Sequence, residues 1–257
     1  MRQDAIKLQR FYAGSLGQAA SGVIAGKIDA LWGGAEGLSV LGLGFAPPLL
    51  GGLSNAKRCI AAMPVGQGVS DWCASDRGGA SLKTDEARLP FGDGLFDRAV
   101  VFHGFEEAES PRAMARELWR VMAPEGRIVV AASNRRGLWA RAESTPFGHG
   151  RPWTKTQLVA LLSDASFQVT ASAHALHMPP VSWSVVTAAA DAWERAGELI
   201  YPGFGGVVLV EAVKRLYIDP RGSASAPTLS AVKARKGAAA LPRNEAPKAR
   251  DKPTNPL

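Results

Sequence analysis

The sequence predicts an α/β fold, in which helices on both faces of a mostly parallel sheet form a three-layer sandwich. Three apolar stretches carry this prediction. Residues 39–48, SVLGLGFAPP, open into Gly42-x-Gly44, as a buried strand does before a tight turn. Residues 96–103, FDRAVVFH, and residues 126–132, GRIVVAA, are apolar enough for the centre of a parallel sheet. A helix predicted between these two stretches gives the strand, helix, strand order of a parallel α/β unit.

The helix in that unit has recognisable ends. Ser110-Pro111 supplies an N-cap and a first-turn proline, and Pro124 marks the end. Apolar side chains at helical spacing give the helix one buried face: Met114, Leu118, Val121 and Met122. Thr154-x-x-Gln157 is a capping box that predicts the start of another helix further along the chain.

The remaining predicted elements flank these units. One amphipathic helix precedes the first strand, with Ile24, Ile28 and Leu31 on one face and Gly33 as its stop. Further strands are predicted at residues 57–63, 80–84, 167–173 and 207–213. A helix is predicted at residues 184–199, with a stripe that is interpreted as core or as a partner-helix face: Trp183, Val186, Ala190, Trp193 and Gly197.

Composition divides the chain at residue 218. Residues 1–218 are predicted to be one domain, since 257 residues with 46% hydrophobic side chains suit a single sizeable core. Residues 219–257 contain six prolines, no aromatic side chain, and eight Lys or Arg against three Asp or Glu. We expect this basic tail to be disordered, because it cannot bury enough apolar surface to offset its ordering entropy. The tail carries most of the net charge of +7, so the body is nearly neutral.

The charge and cysteine patterns argue against several classes of protein. Basic residues in the tail are dispersed and lack interleaved aromatics, so nucleic-acid binding is not expected. Cys59 and Cys73 have no metal or disulfide spacing, and His174 with His177 lacks a third ligand type, so no metal site is predicted. The chain shows neither a signal-peptide core nor an apolar run long enough to span a bilayer, so we expect a cytoplasmic protein.

Three sequence blocks between residues 85 and 127 resemble those of a known family. The blocks are Asp85-x-x-x-Leu89-Pro90-Phe91, Phe96-Asp97, and Arg116-Glu117-x-x-Arg120-Val121-x-x-Pro124-x-Gly126-Arg127. In order and spacing they are similar to the D-A-x-x-LPF, FD and E-x-x-RVLKPGG blocks of type 11, class I S-adenosylmethionine-dependent methyltransferases. Residues 134–152 are similar to an alphaproteobacterial branch of that family. The resemblance covers roughly residues 11–217.

The resemblance implies a Rossmann-like sheet of seven strands with the last one antiparallel, and S-adenosyl-L-methionine as the cofactor. It implies cofactor-binding positions at Gly42, Gly44, Phe45, Ala46, Met63, Asp85, Glu86 and His103. Asp85 matches the position that accepts a hydrogen bond from the adenine amino group, but it could equally be a turn residue. The activity implied is methyl transfer, and the resemblance implies no particular acceptor.

Two segments, the glycine turn and the end of the second strand, depart from the family pattern. Ala46 and Pro48 stand where two glycines are usual, and proline removes an N–H and fixes φ. The predicted second strand ends at Met63-Pro64, where related enzymes carry an acidic residue for the ribose hydroxyls. These departures keep an alternative open, namely a catalytically degenerate methyltransferase fold that binds a metabolite or a protein partner.

Methyl transfer needs alignment, and a base when the acceptor carries a proton. His103 is the best candidate base, because it ends a predicted central strand and could titrate near neutral pH. Its alternative role is that of a buried histidine bonded to a carbonyl. Glu106 is a weaker candidate, because a surface charge is expected there.

The long connection after residue 133 is a candidate substrate-binding loop. Its guanidinium groups could clamp an anionic acceptor, and its tryptophan could add a stacking wall. The candidate residues are Asn134, Arg135, Trp139, Arg141, His149 and Arg151. In the alternative, Asn134 turns the chain, Trp139 packs on the sheet and the arginines bond loop carbonyls.

Overall fold

A seven-stranded sheet forms the centre of the computed structural model, which describes residues 2–53, 55–70, 72 and 79–216. Its strands are β1 (Ser39–Gly44), β2 (Arg58–Pro64), β3 (Gly79–Thr84), β4 (Phe96–Phe102), β5 (Met122–Ser133), β6 (Phe167–Ala175) and β7 (Val207–Lys214). Their order is β3-β2-β1-β4-β5-β7-β6, and β7 runs antiparallel to both of its neighbours. The other pairs are parallel. The predicted α/β fold with an antiparallel last strand is therefore confirmed.

Helices cover both faces of this sheet. Those among the described residues are α1 (Ala5–Ala13), α2 (Ser15–Trp32), α3 (Pro47–Leu50), α4 (Pro111–Val121), α5 (Lys155–Asp164), α6 (Ser184–Ala188) and α7 (Ala190–Ile200). α1, α2 and α3 pack on the face that includes Val40 and Val100, while α4 and α5 pack on the face that includes Leu41 and Val101. Successive strand residues point to opposite faces, so burial on both sides accounts for the apolar runs in the sequence.

The strand order reverses at β1, which pairs with β2 on one side and with β4 on the other. In open parallel sheets, ligands bind outside the carboxyl ends of the strands at such a point. Phe45 follows β1 there, and His103 follows β4. The fold therefore brings the two predicted site segments to the same edge.

The sequence blocks that carry the family resemblance hold loops in place. The backbone N–H of Leu89 donates to Oε2 of Glu117 at 2.8 Å. Arg120 donates from Nη1 to the carbonyl of Phe91 at 2.8 Å and from Nη2 to that of Leu89 at 2.9 Å. Hydrogen bonds to charged groups are stronger than neutral ones, so Glu117 and Arg120 stabilise the connection between β3 and β4.

Several elements differ from the sequence predictions. α1 is an additional helix before the predicted N-terminal one, and Gly14 separates it from α2. The predicted helix at residues 184–199 is interrupted at Ala189, where φ is −94° and ψ is 16°. Its stripe is only partly buried, because Trp183 is 71% exposed and Trp193 is 42% exposed. Those two tryptophans therefore do not belong to the core.

Some sequence predictions fall on residues that the structure does not describe. The predicted tail at residues 219–257 and Cys73 lie outside the described residues. Cys59 is buried on β2. No helix within the described residues is long and apolar enough to cross a membrane.

Candidate functional site

The turn after β1 is tightly packed against β4. Gly44 has a φ of 84°, and a Cβ atom on it would lie 2.3 Å from the carbonyl oxygen of Phe102. The N–H of Phe45 donates to that same oxygen at 2.7 Å. Pro47 and Pro48 have no N–H. Three of the four residues at positions 45–48 therefore cannot donate a backbone hydrogen bond to a ligand.

An aromatic cluster covers this turn. Tyr12 on α1 stacks on Phe45, with ring centroids 6.0 Å apart and an interplanar angle of 22°. The Tyr12 hydroxyl lies 2.6 Å from Nε2 of His103. Phe102 and Phe147 pack around the His103 ring, with centroids 4.3 and 4.9 Å from it. The space directly above the turn is therefore filled by side chains.

His103, the predicted base, is buried in this cluster with a left-handed backbone conformation of φ 47°. Burial lowers the pKa of His103 to about 3, and burial also raises the pKa of Tyr12 above its usual value. At neutral pH the hydrogen bond thus joins two uncharged rings. Because Nε2 of His103 is engaged with Tyr12, it would have to leave that hydroxyl before it could accept a substrate proton.

A cavity of about 740 Å³ opens beside this cluster, at the carboxyl ends of β2, β3 and β4. Its walls are Arg2, Val65, Gly66, Thr84, Asp85, Glu86, Glu106, Glu107, Glu109, Gly150 and Arg151. Asp85 is exposed there, and its Oδ1 accepts from the N–H of Ala87 at 2.8 Å. Glu86 is buried and pairs with the guanidinium of Arg2. The two predicted carboxylates therefore share the cavity but differ in their partners.

Residues before α1 close one side of the cavity. Besides its ion pair with Glu86, Arg2 donates from Nε to the carbonyl of Glu107 at 3.0 Å. The N–H of Gln3 donates to the Glu107 carboxylate at 3.0 Å, and its side-chain amide donates to the carbonyl of Pro146 at 3.0 Å. These contacts tie the segment before α1 to the loops after β3, β4 and β5.

Glu106 forms the inner wall of the cavity, three residues after His103. Its Oε1 accepts from the N–H of Ser133 at 2.9 Å and from the Ser133 hydroxyl at 3.3 Å. Its Oε2 is buried and has no hydrogen-bond partner in the described part of the chain. Burial raises the pKa of Glu106 to about 7 despite the Ser133 hydrogen bonds, which act in the opposite direction. A buried carboxyl group with one unpartnered oxygen is therefore present at the edge of the site.

The end of β2 carries no carboxylate among the described residues. Met63 has no exposed surface, and its sulfur accepts from the N–H of Ser70 at 3.4 Å. Val65 and Gly66, which follow β2, line the cavity instead. Asp71, the next carboxylate along the chain, lies outside the described residues.

Comparisons with known proteins agree with this architecture. Residues 54–130 match a family model described as a methyltransferase domain. The resemblance of this segment to class I S-adenosylmethionine-dependent methyltransferases is thereby confirmed. A curated relative, the demethylmenaquinone methyltransferase of Thermus thermophilus, is 33% identical over 96 residues. That match covers 37% of this chain and spans only 37% of the relative's length.

Solved methyltransferase structures share the fold. A SAM-dependent methyltransferase from Thermotoga maritima is 19% identical, with a TM-score of 0.57, and the match covers 81% of this chain and 95% of that one. One from Aquifex aeolicus is 17% identical, with a TM-score of 0.54, over 82% of this chain and 99% of that one. A Haloferax volcanii complex of the Trm112 methyltransferase activator with a methyltransferase contains a chain that is 19% identical, with a TM-score of 0.53. That match covers 74% of this chain and 89% of the other.

Two candidate substrate residues have packing roles. Trp139 has no exposed surface, and its Nε1 donates to the carbonyl of Met178 at 2.7 Å. The Asn134 side-chain amide donates to the carbonyls of Gly203 and Gly205 at 3.1 and 2.7 Å. These contacts support the alternative in which Asn134 turns the chain and Trp139 packs as a core residue.

The other candidate substrate residues divide between the cavity and the surface. Arg151 lines the cavity, and its N–H donates to the carbonyl of Glu106 at 2.7 Å. His149 lies near Gln3 and Glu107, and its Nε2 is 2.9 Å from the carbonyl oxygen of Glu143. Arg135 donates to the carbonyl of Pro152, while Arg141 is exposed. The loop thus supplies one guanidinium, that of Arg151, to the cavity.

The sequence predictions for this candidate site omitted the N-terminal residues Arg2 and Tyr12. The spacing of Ala5, Leu8 and Tyr12, all buried in α1, is a helical signal that could have placed Tyr12 on a buried face. Arg2 gave no such signal, because its partner Glu86 is 84 residues away. Among the described residues, no group of three or more His, Cys, Asp or Glu side chains is arranged for a metal ion.

Proposed function

We propose that this protein binds S-adenosyl-L-methionine at the carboxyl edge of the sheet and transfers the methyl group to a small-molecule acceptor. The observation that carries this proposal is the position of the cavity of about 740 Å³, at the ends of β2, β3 and β4. Methyltransferases of this class use that edge, which is also where strand-order reversal creates a ligand crevice. The match of residues 54–130 to a methyltransferase-domain model supports the same cofactor.

The cavity residues suit the nucleoside half of the cofactor. Asp85 presents an exposed carboxylate, which can accept a hydrogen bond from the adenine amino group. Val65, Gly66 and Thr84 supply a wall of small or uncharged groups beside it. The ribose would find no carboxylate at Met63, so its hydroxyls would rely on weaker neutral acceptors.

The glycine turn suits the amino-acid half of the cofactor less well. Among residues 45–48, only Ala46 has a backbone N–H that could donate to a ligand. The Phe45 N–H already donates to the Phe102 carbonyl, and the two prolines have none. Tyr12 and Phe45 cover the turn, so a ligand that touches it must displace the Tyr12 ring. The proposal that the cofactor binds therefore depends on the residues that line the cavity and not on the glycine turn.

When bound, the cofactor supplies an electrophilic methyl group on a sulfonium sulfur. The role of the chain is then to hold the acceptor in line with that methyl group and to keep water away. Arg2 and Gln3 bridge three loops at one side of the site. Asp85 orients the nucleoside, and no nucleophilic side chain is required.

Isothermal titration calorimetry with S-adenosylhomocysteine tests this function. We expect binding by the intact protein, and we expect Asp85→Ala to weaken it roughly tenfold, as for the loss of one charge-assisted hydrogen bond. Asp29→Ala is the matched control, because Asp29 is an exposed carboxylate on α2 that does not line the cavity. Unchanged affinity in Asp85→Ala would remove Asp85 from the site.

A second candidate function is that of a methyltransferase-fold protein that binds a partner without catalysis. The limited supply of N–H groups in the turn favours it, because Phe45, Pro47 and Pro48 cannot donate to a ligand. The same calorimetry separates the two candidates. An absence of heat with millimolar S-adenosylmethionine and S-adenosylhomocysteine would contradict cofactor binding and favour the second candidate.

A further inference from the structure

The Glu106 carboxylate is bonded on one side only. Both donors of Ser133, the N–H and the hydroxyl, point to Oε1, which fixes the position of the group. Oε2 has no partner among the described residues although the side chain is 94% buried, as its exposure is 6%. Buried polar atoms in folded proteins nearly always have a hydrogen-bond partner. A donor from outside the chain would complete this carboxylate.

The charges around the cavity favour a positively charged donor. Five lining residues are carboxylates, Asp85, Glu86, Glu106, Glu107 and Glu109, and two are guanidiniums, Arg2 and Arg151. Arg2 is committed to Glu86. The described walls therefore carry more negative than positive charge, and an anionic acceptor would meet this excess. A cation would be attracted by it.

The neighbouring titratable pair does not neutralise Glu106. The Tyr12 hydroxyl and Nε2 of His103 bond each other, 2.6 Å apart. Burial holds the His103 pKa at about 3, so the ring supplies no positive charge at neutral pH. Glu106 is consequently a buried carboxyl group of the site with an oxygen that no described residue occupies. Gln67, which lines the same small cavity, also has an unpartnered oxygen, but its amide carries no charge to attract a cation.

We infer that the methyl acceptor is an amine, and that its ammonium form donates a hydrogen bond to Oε2 of Glu106 and gives up its proton there. This inference rests on the proposed function and names the acceptor class of the same site. Oε1 remains with Ser133 throughout, so the carboxylate does not need to rotate.

The step balances in protons and electrons. The R–NH₃⁺ acceptor passes one proton to the Glu106 carboxylate, which leaves R–NH₂ with a free lone pair. That lone pair forms the new N–C bond while the C–S bond of the sulfonium breaks, and the electrons of that bond stay on sulfur. The product is a methylated ammonium ion, and the proton on Glu106 is released to solvent.

The titration of Glu106 is compatible with this role. Burial raises its pKa to about 7, and a base works best when its pKa lies near the working pH. The titratable and charged residues that line the same cavities as Glu106 are Arg2, Asp85, Glu86, His103, Glu107, Glu109, His149 and Arg151. Tyr12 also interacts with it, since the Glu106 charge adds to the rise in the Tyr12 pKa. Of these residues, Glu107 opposes ionisation of Glu106 by like-charge repulsion.

Binding of n-butylamine and of butyrate, measured by calorimetry in the presence of saturating S-adenosylhomocysteine, tests the inference. We expect the intact protein to bind n-butylamine more tightly than butyrate, and more tightly at pH 8 than at pH 6 as Glu106 ionises. Glu106→Gln keeps the shape of the side chain but not its charge, and we expect it to weaken n-butylamine binding roughly tenfold and to abolish the pH dependence. Glu106→Asp, which keeps the charge, should retain part of the preference for the amine.

Glu36→Gln is the control, since Glu36 is an exposed carboxylate that does not line the cavity. It should bind both probes as the intact protein does. Equal n-butylamine affinity in Glu106→Gln, or tighter binding of butyrate by the intact protein, would overturn the inference. So would a Glu106→Gln variant that loses affinity for S-adenosylhomocysteine alone, because the carboxylate would then hold the cofactor's own ammonium. Failure of the intact protein to bind S-adenosylhomocysteine would instead contradict the proposed function.

Discussion

The hydroxyl of Tyr12 and Nε2 of His103 lie 2.6 Å apart, in a hydrogen bond that links α1 to the carboxyl end of β4. Both groups are buried, and both are uncharged at neutral pH because burial lowers the pKa of His103 and raises that of Tyr12. The bond therefore serves two purposes. It holds α1 over the glycine turn, and it engages Nε2 of His103, the residue that the sequence predicts as the base.

Tyr12→Phe tests the stabilising part of this relationship. The change keeps the ring that stacks on Phe45 but removes the hydroxyl, so we expect the free energy of unfolding to fall by about 1 kcal/mol. Urea denaturation at pH 7 measures the loss. Tyr201→Phe is the control, because Tyr201 is 62% exposed. Equal stability of the two variants would show that the bond contributes nothing net.

The pH dependence of stability should carry the signature of Glu106. Between its ordinary pKa of 4.5 and its folded pKa of about 7, the folded protein holds a proton that the unfolded chain has lost. Its contribution to the free energy of unfolding is therefore complete below about pH 4.5 and is lost as pH rises to 7, by on the order of 3 kcal/mol.

Urea denaturation of the intact protein and of Glu106→Gln, at pH values from 5 to 8, isolates this contribution. His103 acts in the opposite direction, because its lowered pKa makes stability rise between about pH 3 and 6.5, but it is common to both proteins. We expect Glu106→Gln to gain in relative stability up to about pH 7 and to stay level above it. Parallel profiles would mean that Glu106 ionises in the folded protein as it does in the unfolded one.

Arg120→Lys tests the clamp that Glu117 and Arg120 on α4 form with the backbone of Leu89 and Phe91. Lysine keeps the charge but cannot reproduce the guanidinium fork that reaches Leu89, Phe91 and Glu117 together. We expect a loss of about 1–2 kcal/mol in the free energy of unfolding. Arg116→Lys, at an exposed position on the same helix, should be neutral. If both variants unfold alike, the fork geometry has no energetic role.

Local signals in the sequence account for most of the fold. The capping box at Thr154 and the N-cap at Ser110 form as predicted, because each depends on residues within one helical turn. The interruption between α6 and α7 falls at Ala189, where the sequence has no proline or glycine that would predict a helix end. Periodicity therefore predicted one continuous helix over residues 184–199, where the structure has two.

The candidate site was less predictable, because its decisive contacts join distant parts of the chain. Tyr12 meets His103 across 91 residues, and Gln3 meets Glu107 across 104. Sequence spacing could place His103 and Asp85 at one edge of the sheet, since strand ends in a parallel sheet converge there. It could not show that α1 would lie over that edge, nor that Glu106 would be buried rather than a surface charge.

The clamp formed by Glu117 and Arg120 has an evolutionary consequence. These residues bind loop backbone, so selection can retain them for folding whether or not a descendant still performs transfer chemistry. Sequence divergence among descendants should then appear first around the unpartnered oxygen of Glu106 and among the other residues that line the cavity. The Leu89-Pro90-Phe91 loop and the two residues that hold it should change least. Lineages with different substrates would share the loop, Glu117 and Arg120, and would differ at the residues that line the cavity.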